Sequence, residues 1–207
     1  MERVLDIYER PYDPRRPVVC FDERPCQLLG HVLMPIPMKP GRVEREDYHY
    51  TRHGTCAVLM AVEPLAGHRM VTVTEQKTKK DYAQFMHALS RSYPEAERII
   101  LVQDNLNTHN PSSFYETFTA DEAFALAQRF DMVYTPKKAS WLNMAEIELS
   151  ALSKQCLDRR IAEIGTLTSQ VKSWATRRNS LKAVIRWNFT KNHAREKFNR
   201  FYNSINN

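Results

Sequence analysis

The spacing of the apolar residues changes after residue 75, and this change limits the possible folds most strongly. Before it, the apolar runs are typical of strands and cover residues 17–23, 26–33, 55–64 and 69–75. After it, helical spacing covers residues 81–89, 120–130, 141–157 and 166–189. Strand-like runs separate these helices at residues 98–104 and 131–136. Antiparallel strands followed by alternating strands and helices predict an α/β protein in which a mixed sheet has helices on both faces.

The remaining segments are predicted to be irregular or peripheral. Residues 1–16 predict a short N-terminal helix and a linker interrupted by prolines, and residues 35–50 predict a charged, proline-rich loop. We therefore expect one main domain over residues 17–190. Residues 191–207 are expected to form a basic C-terminal tail.

Glycine and cysteine exclude several common kinds of site. The five glycines stand at 30, 41, 54, 67 and 165, and no two are closer than eleven residues. P-loops and dinucleotide-binding loops need glycines within about six residues of each other, so neither is present. The four cysteines form no CxxC pair, which leaves a zinc knuckle or a redox motif unsupported.

Positive charge is concentrated near the end of the sequence. Residues 1–153 contain 18 basic and 21 acidic side chains, whereas residues 154–207 contain 12 basic and 3 acidic ones. This distribution indicates a polyanionic partner. We expect it to be bound in this region by Arg159, Arg160, Arg177 and Arg178.

Two aspartates follow apolar strand-like runs. Asp22 comes after residues 18–21, and Asp104 comes after residues 99–102. Ligand-binding groups in α/β sheets lie where buried strands end. One such aspartate more often caps a turn, but two on neighbouring predicted strands favour a shared site.

A third carboxylate is expected on the predicted helix that follows Trp141. Glu146 and Glu148 fall at opposite edges of its apolar stripe, and periodicity does not choose between them. Solvated flanking charges are the alternative interpretation for both.

Four segments, in this order, resemble the catalytic core of bacterial insertion-sequence transposases of the mariner superfamily: VVCFDERPCQ, RHGT, VQDNLNTH and YTPKKASWLNMAEIELSALS. Those enzymes carry an Asp-Asp-Glu triad on a ribonuclease-H-like fold. Matching their motifs to this sequence places the triad on Asp22, Asp104 and Glu146, with Glu148 as the fallback for the third position. The resemblance thus implies a DDE-type catalytic domain that cleaves and transfers DNA strands in transposition.

The resemblance also implies two divalent ions per active site, Mg²⁺ or Mn²⁺. Hard oxygen ligands suit these ions, whereas zinc would favour histidine and cysteine. Three carboxylates can hold two ions about 3.5–4 Å apart. By resemblance Asp22 bridges the ions, Asp104 completes one metal site and Glu146 completes the other.

DNA, as transposon ends and target, is the partner that the resemblance implies. Beyond the four arginines named above, further DNA contacts are expected from Arg52, His53, Asn105, His109, Lys137 and Lys138. For Asn105 and His109, which follow Asp104, the alternative is that they orient the metal ligands. For the RHGT and DNLNTH segments, a solvated loop and a polar turn are equally good interpretations.

The sequence departs from the family where it begins. Relatives carry helix-turn-helix modules ahead of the catalytic domain, whereas this sequence begins almost at the first predicted strand. We therefore expect a separate upstream DNA-recognition polypeptide or a truncated remnant. A homodimer is expected as the active assembly. Two alternative functions are an inactive remnant that only binds DNA or assembles, and a metal-dependent nuclease of the same fold.

The longest apolar run, residues 56–62, is far shorter than the roughly 20 residues that cross a bilayer. The first ten residues carry charges where a signal peptide would be apolar. We expect a cytoplasmic protein associated with the nucleoid and no membrane partner.

Overall fold

The computed structural model describes residues 1–200, which form a five-stranded mixed sheet with helices on both faces. The strands are β1 (Val18–His31), β2 (Tyr50–Glu63), β3 (His68–Thr74), β4 (Ile99–Gln103) and β5 (Phe130–Tyr134). The helices are α1 (Glu2–Tyr8), α2 (Lys79–Arg91), α3 (Ser112–Tyr115), α4 (Ala120–Gln128), α5 (Ala145–Gln155), α6 (Ile164–Ser180) and α7 (Lys191–Lys197). The predicted fold class is confirmed.

The order of the strands across the sheet is β3-β2-β1-β4-β5. β1, β2 and β3 pair antiparallel, as the strand-like runs before residue 75 predict. β4 pairs parallel to β1, and β5 pairs parallel to β4. The carboxyl ends of β4 and β5 therefore lie at one edge of the sheet, beside the middle of the long central strand β1.

β1 is one strand of 14 residues, whereas the sequence predicts two strands, over 17–23 and 26–33. The prediction is wrong because it treats the segment around Pro25 as a connection. β1 pairs with β4 only over residues 18–20, so that at Pro25 one side of the strand pairs with no other strand of residues 1–200. A proline is tolerated at such a free strand edge, and Pro25 stays in register opposite Ala57 of β2.

Alternation along β1 separates two apolar layers. Val19 and Phe21 are buried on one face, in a cluster with Tyr82 and Leu89 of α2. Cys20 is buried on the other face, in a cluster that includes Ala145 of α5. Residues that lie two or four positions after Cys20 in β1 therefore also point to the face that α5 covers. This direction determines which polar side chains of β1 and α5 meet.

The helix predicted over 141–157 begins later than expected. Residues 140–142 form a short 3₁₀ turn, and Asn143 is extended, with φ −84° and ψ 111°, before α5 begins at Ala145. The amide Nδ2–H group of Asn143 donates to the carbonyl of Phe21 at 2.8 Å. This bond to β1 accounts for the break in the helical pattern.

The helix predicted over 166–189 ends at Ser180. Lys182 has a positive φ of 44°, and the N–H of Ile185 donates to the carbonyl of Pro64 at 2.9 Å. Ile185, Trp187 and Phe189 pack on the α5-side core while the residues between them are exposed. The segment is thus extended, and its apolar residues follow a period of two that the helical interpretation misses.

The N-terminal helix and α7 pack together. Val4, Leu5 and Ala194 are buried in the cluster on the α5 side of the sheet, and the ammonium of Lys191 lies 2.6 Å from the carboxylate of Asp6. Residues 201–207, the end of the predicted basic tail, lie outside the described residues. None of the helices within residues 1–200 is long and apolar enough to span a membrane.

Candidate active site

The strand register brings the two predicted aspartates together. Val18 pairs with Ile100 and Cys20 with Val102, and β4 ends at Gln103. Continued by two residues, the same register sets Asp22 beside Asp104. Asp22 is therefore not at a strand end, as the sequence predicts, but inside β1 at the point where β4 stops pairing with it.

Glu146 reaches the same place from the first turn of α5. Asn143, just before this helix, is fully buried and donates from Nδ2 to the carbonyl of Phe21 and, at 3.3 Å, to the carboxylate of Asp22. The start of α5 is thereby attached to β1 at Asp22. Glu146 is exposed and lines, together with Asp22, an open cavity of about 340 Å³.

The three carboxylates interact electrostatically. Burial raises the pKa of Asp22 to about 7, and the negative charges of Glu146 and Asp104 act in the same direction. The backbone N–H of Glu23 opposes them, donating to Asp22 Oδ1 at 2.8 Å. Mutual repulsion of this kind is relieved when a cation binds among the carboxylates.

The donors at this edge are carboxylate oxygens, the ligand type that Mg²⁺ and Mn²⁺ prefer. Within residues 1–200 no three His, Cys, Asp or Glu side chains approach closely enough to ligate a single ion. The residues fit a hard divalent cation by the chemistry of their oxygen donors, and they form an open acidic edge rather than a closed coordination shell.

Glu148, the alternative third carboxylate, has a different environment. Its side chain is 1% exposed, and its two oxygens accept hydrogen bonds from Arg69 at 2.9 Å and from Arg178 at 2.7 and 2.8 Å. Burial alone would raise the pKa of Glu148, but the bonds from the two arginines outweigh it and hold the pKa below its usual range. Both carboxylate oxygens of Glu148 are thus bound by arginines of the protein.

His109 is completely buried between two carboxylates, which corrects the expectation that it contacts DNA. Its Nδ1–H donates to Asp104, and its Nε2 lies 3.5 Å from the carboxylate of Glu23. Desolvation lowers the pKa of His109, but these partners outweigh it and raise the pKa to about 9. The ring stacks on Tyr82 at 5.0 Å between centroids, so His109 orients Asp104 from behind.

Most of the other predicted DNA contacts are exposed. Arg52 and His53 lie in β2 rather than in a loop, at its solvent-exposed beginning. Lys137 and Lys138 follow β5, at the edge where Asp104 lies. The exposed members of the set are Arg52, His53, Asn105, Lys137, Lys138, Arg159 and Arg177.

Two of the predicted arginines have structural partners instead. The guanidinium of Arg160 donates to the carbonyls of His49 at 2.8 Å and Asp47 at 2.6 Å, so that it fastens the segment before β2. Arg178 is the second partner of Glu148. Sequence composition does not distinguish such arginines from free ones, because the partners lie far away in the chain.

Two basic residues that are not among the predicted site residues line the cavity with Asp22 and Glu146. They are Arg24, two residues after Asp22 in β1, and Lys154, near the end of α5. The sequence could have indicated both residues by their spacing from the carboxylates. Residues two apart in a strand, or eight apart in a helix, lie on the same side of the element.

Comparison with known proteins assigns the family. Residues 17–168 match the model of the DDE superfamily endonuclease family, while no curated protein gives a significant match. Three similar solved structures are the Mos1 mariner paired-end complex with Mn, the Mos1 transposase paired-end complex with left transposon end, and the Mos1 strand transfer complex. Their sequence identities are 17%, 17% and 15%, and their TM-scores are 0.56, 0.56 and 0.58.

The alignments cover 88%, 84% and 88% of this chain but 54%, 52% and 53% of the matched chains. The chain thus spans about half the length of those proteins, and at these identities the likeness shows the fold, which is ribonuclease-H-like. The family match covers most of the chain and includes both aspartates and Glu146. On this ground the chain is a member of the DDE superfamily of endonucleases.

Proposed function

We propose that this chain is the catalytic domain of a transposase that cleaves DNA strands and transfers them with the help of divalent metal ions. The observation that carries the proposal is the position of Asp22 in β1 next to the end of β4, which Asp104 follows, with Glu146 lining the same cavity as Asp22, in a chain of the DDE endonuclease family. Residues 17–190 are proposed as the catalytic domain.

Each carboxylate has a proposed position in the metal site. Asp22, which interacts with both of the others, is the bridging ligand. Asp104 completes one site and is oriented by His109, while Glu146 completes the other from α5. Two Mg²⁺ or Mn²⁺ ions, when bound, would activate the attacking hydroxyl and stabilise the leaving 3′-oxygen of an in-line phosphoryl transfer.

DNA is the proposed substrate, and exposed cations would bind its phosphates. Lys137 and Lys138 lie at the edge of the sheet that carries Asp104, and Arg159 and Arg177 belong to the basic end of the sequence. Such contacts give affinity without reading the base sequence. The matched Mos1 structures are paired-end and strand-transfer complexes, which supports DNA as the partner.

The biological setting is proposed from the sequence resemblance. It comprises a bacterial insertion sequence, a homodimeric active assembly, a separate polypeptide that recognises the transposon ends, and a location at the nucleoid.

Plasmid nicking tests the proposal. Supercoiled DNA is incubated with the chain and Mg²⁺ or Mn²⁺, and open-circle product is measured by gel. The parent is expected to nick only with metal, Asp104→Asn is expected to lose activity, and Asp121→Asn on the exposed start of α4 is the matched control. Nicking by Asp104→Asn at the parent's rate would contradict the proposed site.

The same assay separates the alternatives. An inactive remnant would bind DNA but produce no nicks, and calorimetry would find no binding of Mn²⁺ to the parent. A nuclease of the same fold would cut DNA or an RNA–DNA hybrid without joining a 3′-hydroxyl end to a second DNA. Strand transfer of a labelled oligonucleotide into plasmid distinguishes a transposase from both.

A further inference from the structure

We propose that Arg24 and Lys154 form a phosphate-binding subsite that seats the DNA strand beside the reacting phosphate. The inference rests on the proposed function and deepens it, because it states along which line of the cavity the DNA strand runs, from the carboxylates to the two cations. The cavity has an acidic end, with Asp22 and Glu146, and a basic end, with Arg24 and Lys154.

One wall of the cavity is β1. Asp22 pairs with Met60 and Arg24 pairs with Val58, so that the two residues lie two positions apart along the strand. Side chains two apart in a strand point to the same face, and this face is the one that α5 covers. The strand therefore presents a carboxylate and then a guanidinium toward the same cavity.

The other wall is α5. Glu146, Ser150 and Lys154 are spaced four residues apart, which keeps them on one side of the helix, and all three line the cavity. Eight residues of helix separate the Cα atoms of Glu146 and Lys154 by about 12 Å. Along α5, as along β1, a carboxylate comes first and a cation follows it. In α5 the hydroxyl of Ser150 lies between the two.

The two cations are available to a ligand. Arg24 and Lys154 are both exposed, and neither forms an ion pair with a carboxylate of residues 1–200. The nearest acidic neighbour in sequence, Glu23, also lines the cavity, but its carboxylate is engaged elsewhere, 2.6 Å from the ammonium of Lys77 and 3.5 Å from Nε2 of His109. The charge of the basic end is therefore not neutralised by the protein.

A polyanion with regularly spaced charges fits this arrangement. Successive phosphates of one strand rise 3.4 Å along the axis of a duplex and also turn about it by roughly 35°, so two phosphates about 12 Å apart belong to nucleotides roughly two positions apart. With one phosphate at the carboxylates, a second phosphate of the same strand reaches Arg24 and Lys154. Ser150 adds a hydrogen-bond donor between them.

The experiment measures binding and cutting separately. Anisotropy of a fluorescent duplex gives the affinity over a range of salt concentrations in EDTA, where no cutting occurs. The test variant is Arg24→Gln/Lys154→Gln, and the matched control is Lys80→Gln/Arg91→Gln, two exposed cations of α2 on the opposite face of the sheet. Each phosphate contact contributes about −0.9 to the slope of log K against log salt, so the test variant should lose about 1.8 of this slope.

A second probe locates the contact. Duplexes with one neutral methylphosphonate, roughly two nucleotides to either side of the cutting position, should weaken binding to the parent on one side only. The test variant should be indifferent to that substitution, and the control variant should behave like the parent. Arg24→Lys/Lys154→Arg, which keeps both charges, should retain the parent's slope.

Failure has two distinguishable forms. If the parent nicks DNA with metal but Arg24→Gln/Lys154→Gln keeps the parent's slope and methylphosphonate pattern, the subsite is wrong while the proposed function stands. If the parent neither binds nor cuts DNA at low salt, both are wrong.

Discussion

The guanidinium of Arg69 and the carboxylate of Glu148 form an ion pair with two hydrogen bonds of 2.9 Å, and their side chains are 0% and 1% exposed. Arg69 belongs to β3 and Glu148 to α5, so the pair fastens this helix to the sheet two residues beyond Glu146. Two neighbouring glutamates thus have opposite environments: Glu146 is exposed in the cavity, and Glu148 is enclosed by arginines.

Breaking the buried pair should destabilise the protein. Glu148→Gln removes the charge that compensates Arg69 and Arg178, and leaving such charges unpaired costs about 3–5 kcal/mol. Urea denaturation followed by circular dichroism measures the change in the free energy of unfolding.

The matched control is Glu146→Gln, because its side chain is exposed and forms no hydrogen bond or ion pair with the residues that the structure describes. Its free energy of unfolding should lie within about 0.5 kcal/mol of the parent's. Equal losses of stability in Glu146→Gln and Glu148→Gln would contradict the different environments of the two residues.

The same pair predicts sensitivity to acid. Because the pKa of Glu148 in the folded protein is below the ordinary value of 4.5, its contribution to stability is complete above that pH. The contribution is lost as the pH falls through the lowered pKa. Unfolding measured between pH 7 and pH 3 should show a steeper acid decline for the parent than for Glu148→Gln; parallel curves would show that Glu148 is not responsible.

Asn143 should couple stability to activity. It is fully buried and bonds to the carbonyl of Phe21 and to Asp22, so Asn143→Ala leaves that carbonyl without its donor. A buried group that loses its partner costs about 1–3 kcal/mol. The variant should also need more Mn²⁺ for half-maximal nicking, whereas Asn188→Ala, at an exposed position, should change neither quantity. An unchanged metal requirement in Asn143→Ala would leave the residue a purely structural role.

Divalent metal should stabilise the folded chain. The carboxylates of Glu146 and Asp104 both act to raise the pKa of Asp22, and a cation among the three relieves this repulsion. At 100 times its dissociation constant an ion adds about 2.7 kcal/mol to the free energy of unfolding. Thermal melting with and without Mn²⁺ should show the increase in the parent and a smaller one in Asp22→Asn. An equal increase in both would place the ion elsewhere.

Periodicity predicts the order of strands and helices because each element buries one face locally. This prediction fails where a contact with a residue distant in sequence determines the local conformation. Pro25 continues a strand because β4 is too short to pair there, and Asn143 interrupts a helix because it bonds to Phe21. The extended segment after Ser180, by contrast, shows alternating apolar residues in the sequence itself. This alternation indicates an extended conformation there rather than the predicted helix.

For the candidate site, too, residues with a local signature are predictable from the sequence, and residues whose role depends on distant partners are not. Asp104 follows a buried strand and is recognisable locally, whereas the choice between Glu146 and Glu148 depends on Arg69 and Arg178, which are distant in sequence. For His109, which follows Asp104 in a polar segment, the sequence predicts either a DNA contact or a role in orienting ligands. Its burial against Tyr82 follows only from the packing of α2 on the sheet.

Cleavage of a DNA duplex in Mn²⁺ by Glu146→Gln, beside the parent, tests the central claim most directly. Because this variant is expected to fold as stably as the parent, its rate reports on the third carboxylate alone. We predict that the rate falls at least about 10³-fold, equivalent to about 4 kcal/mol of transition-state stabilisation. Cleavage at the parent's rate by a folded Glu146→Gln protein would contradict the assignment of Asp22, Asp104 and Glu146 as the metal-binding triad.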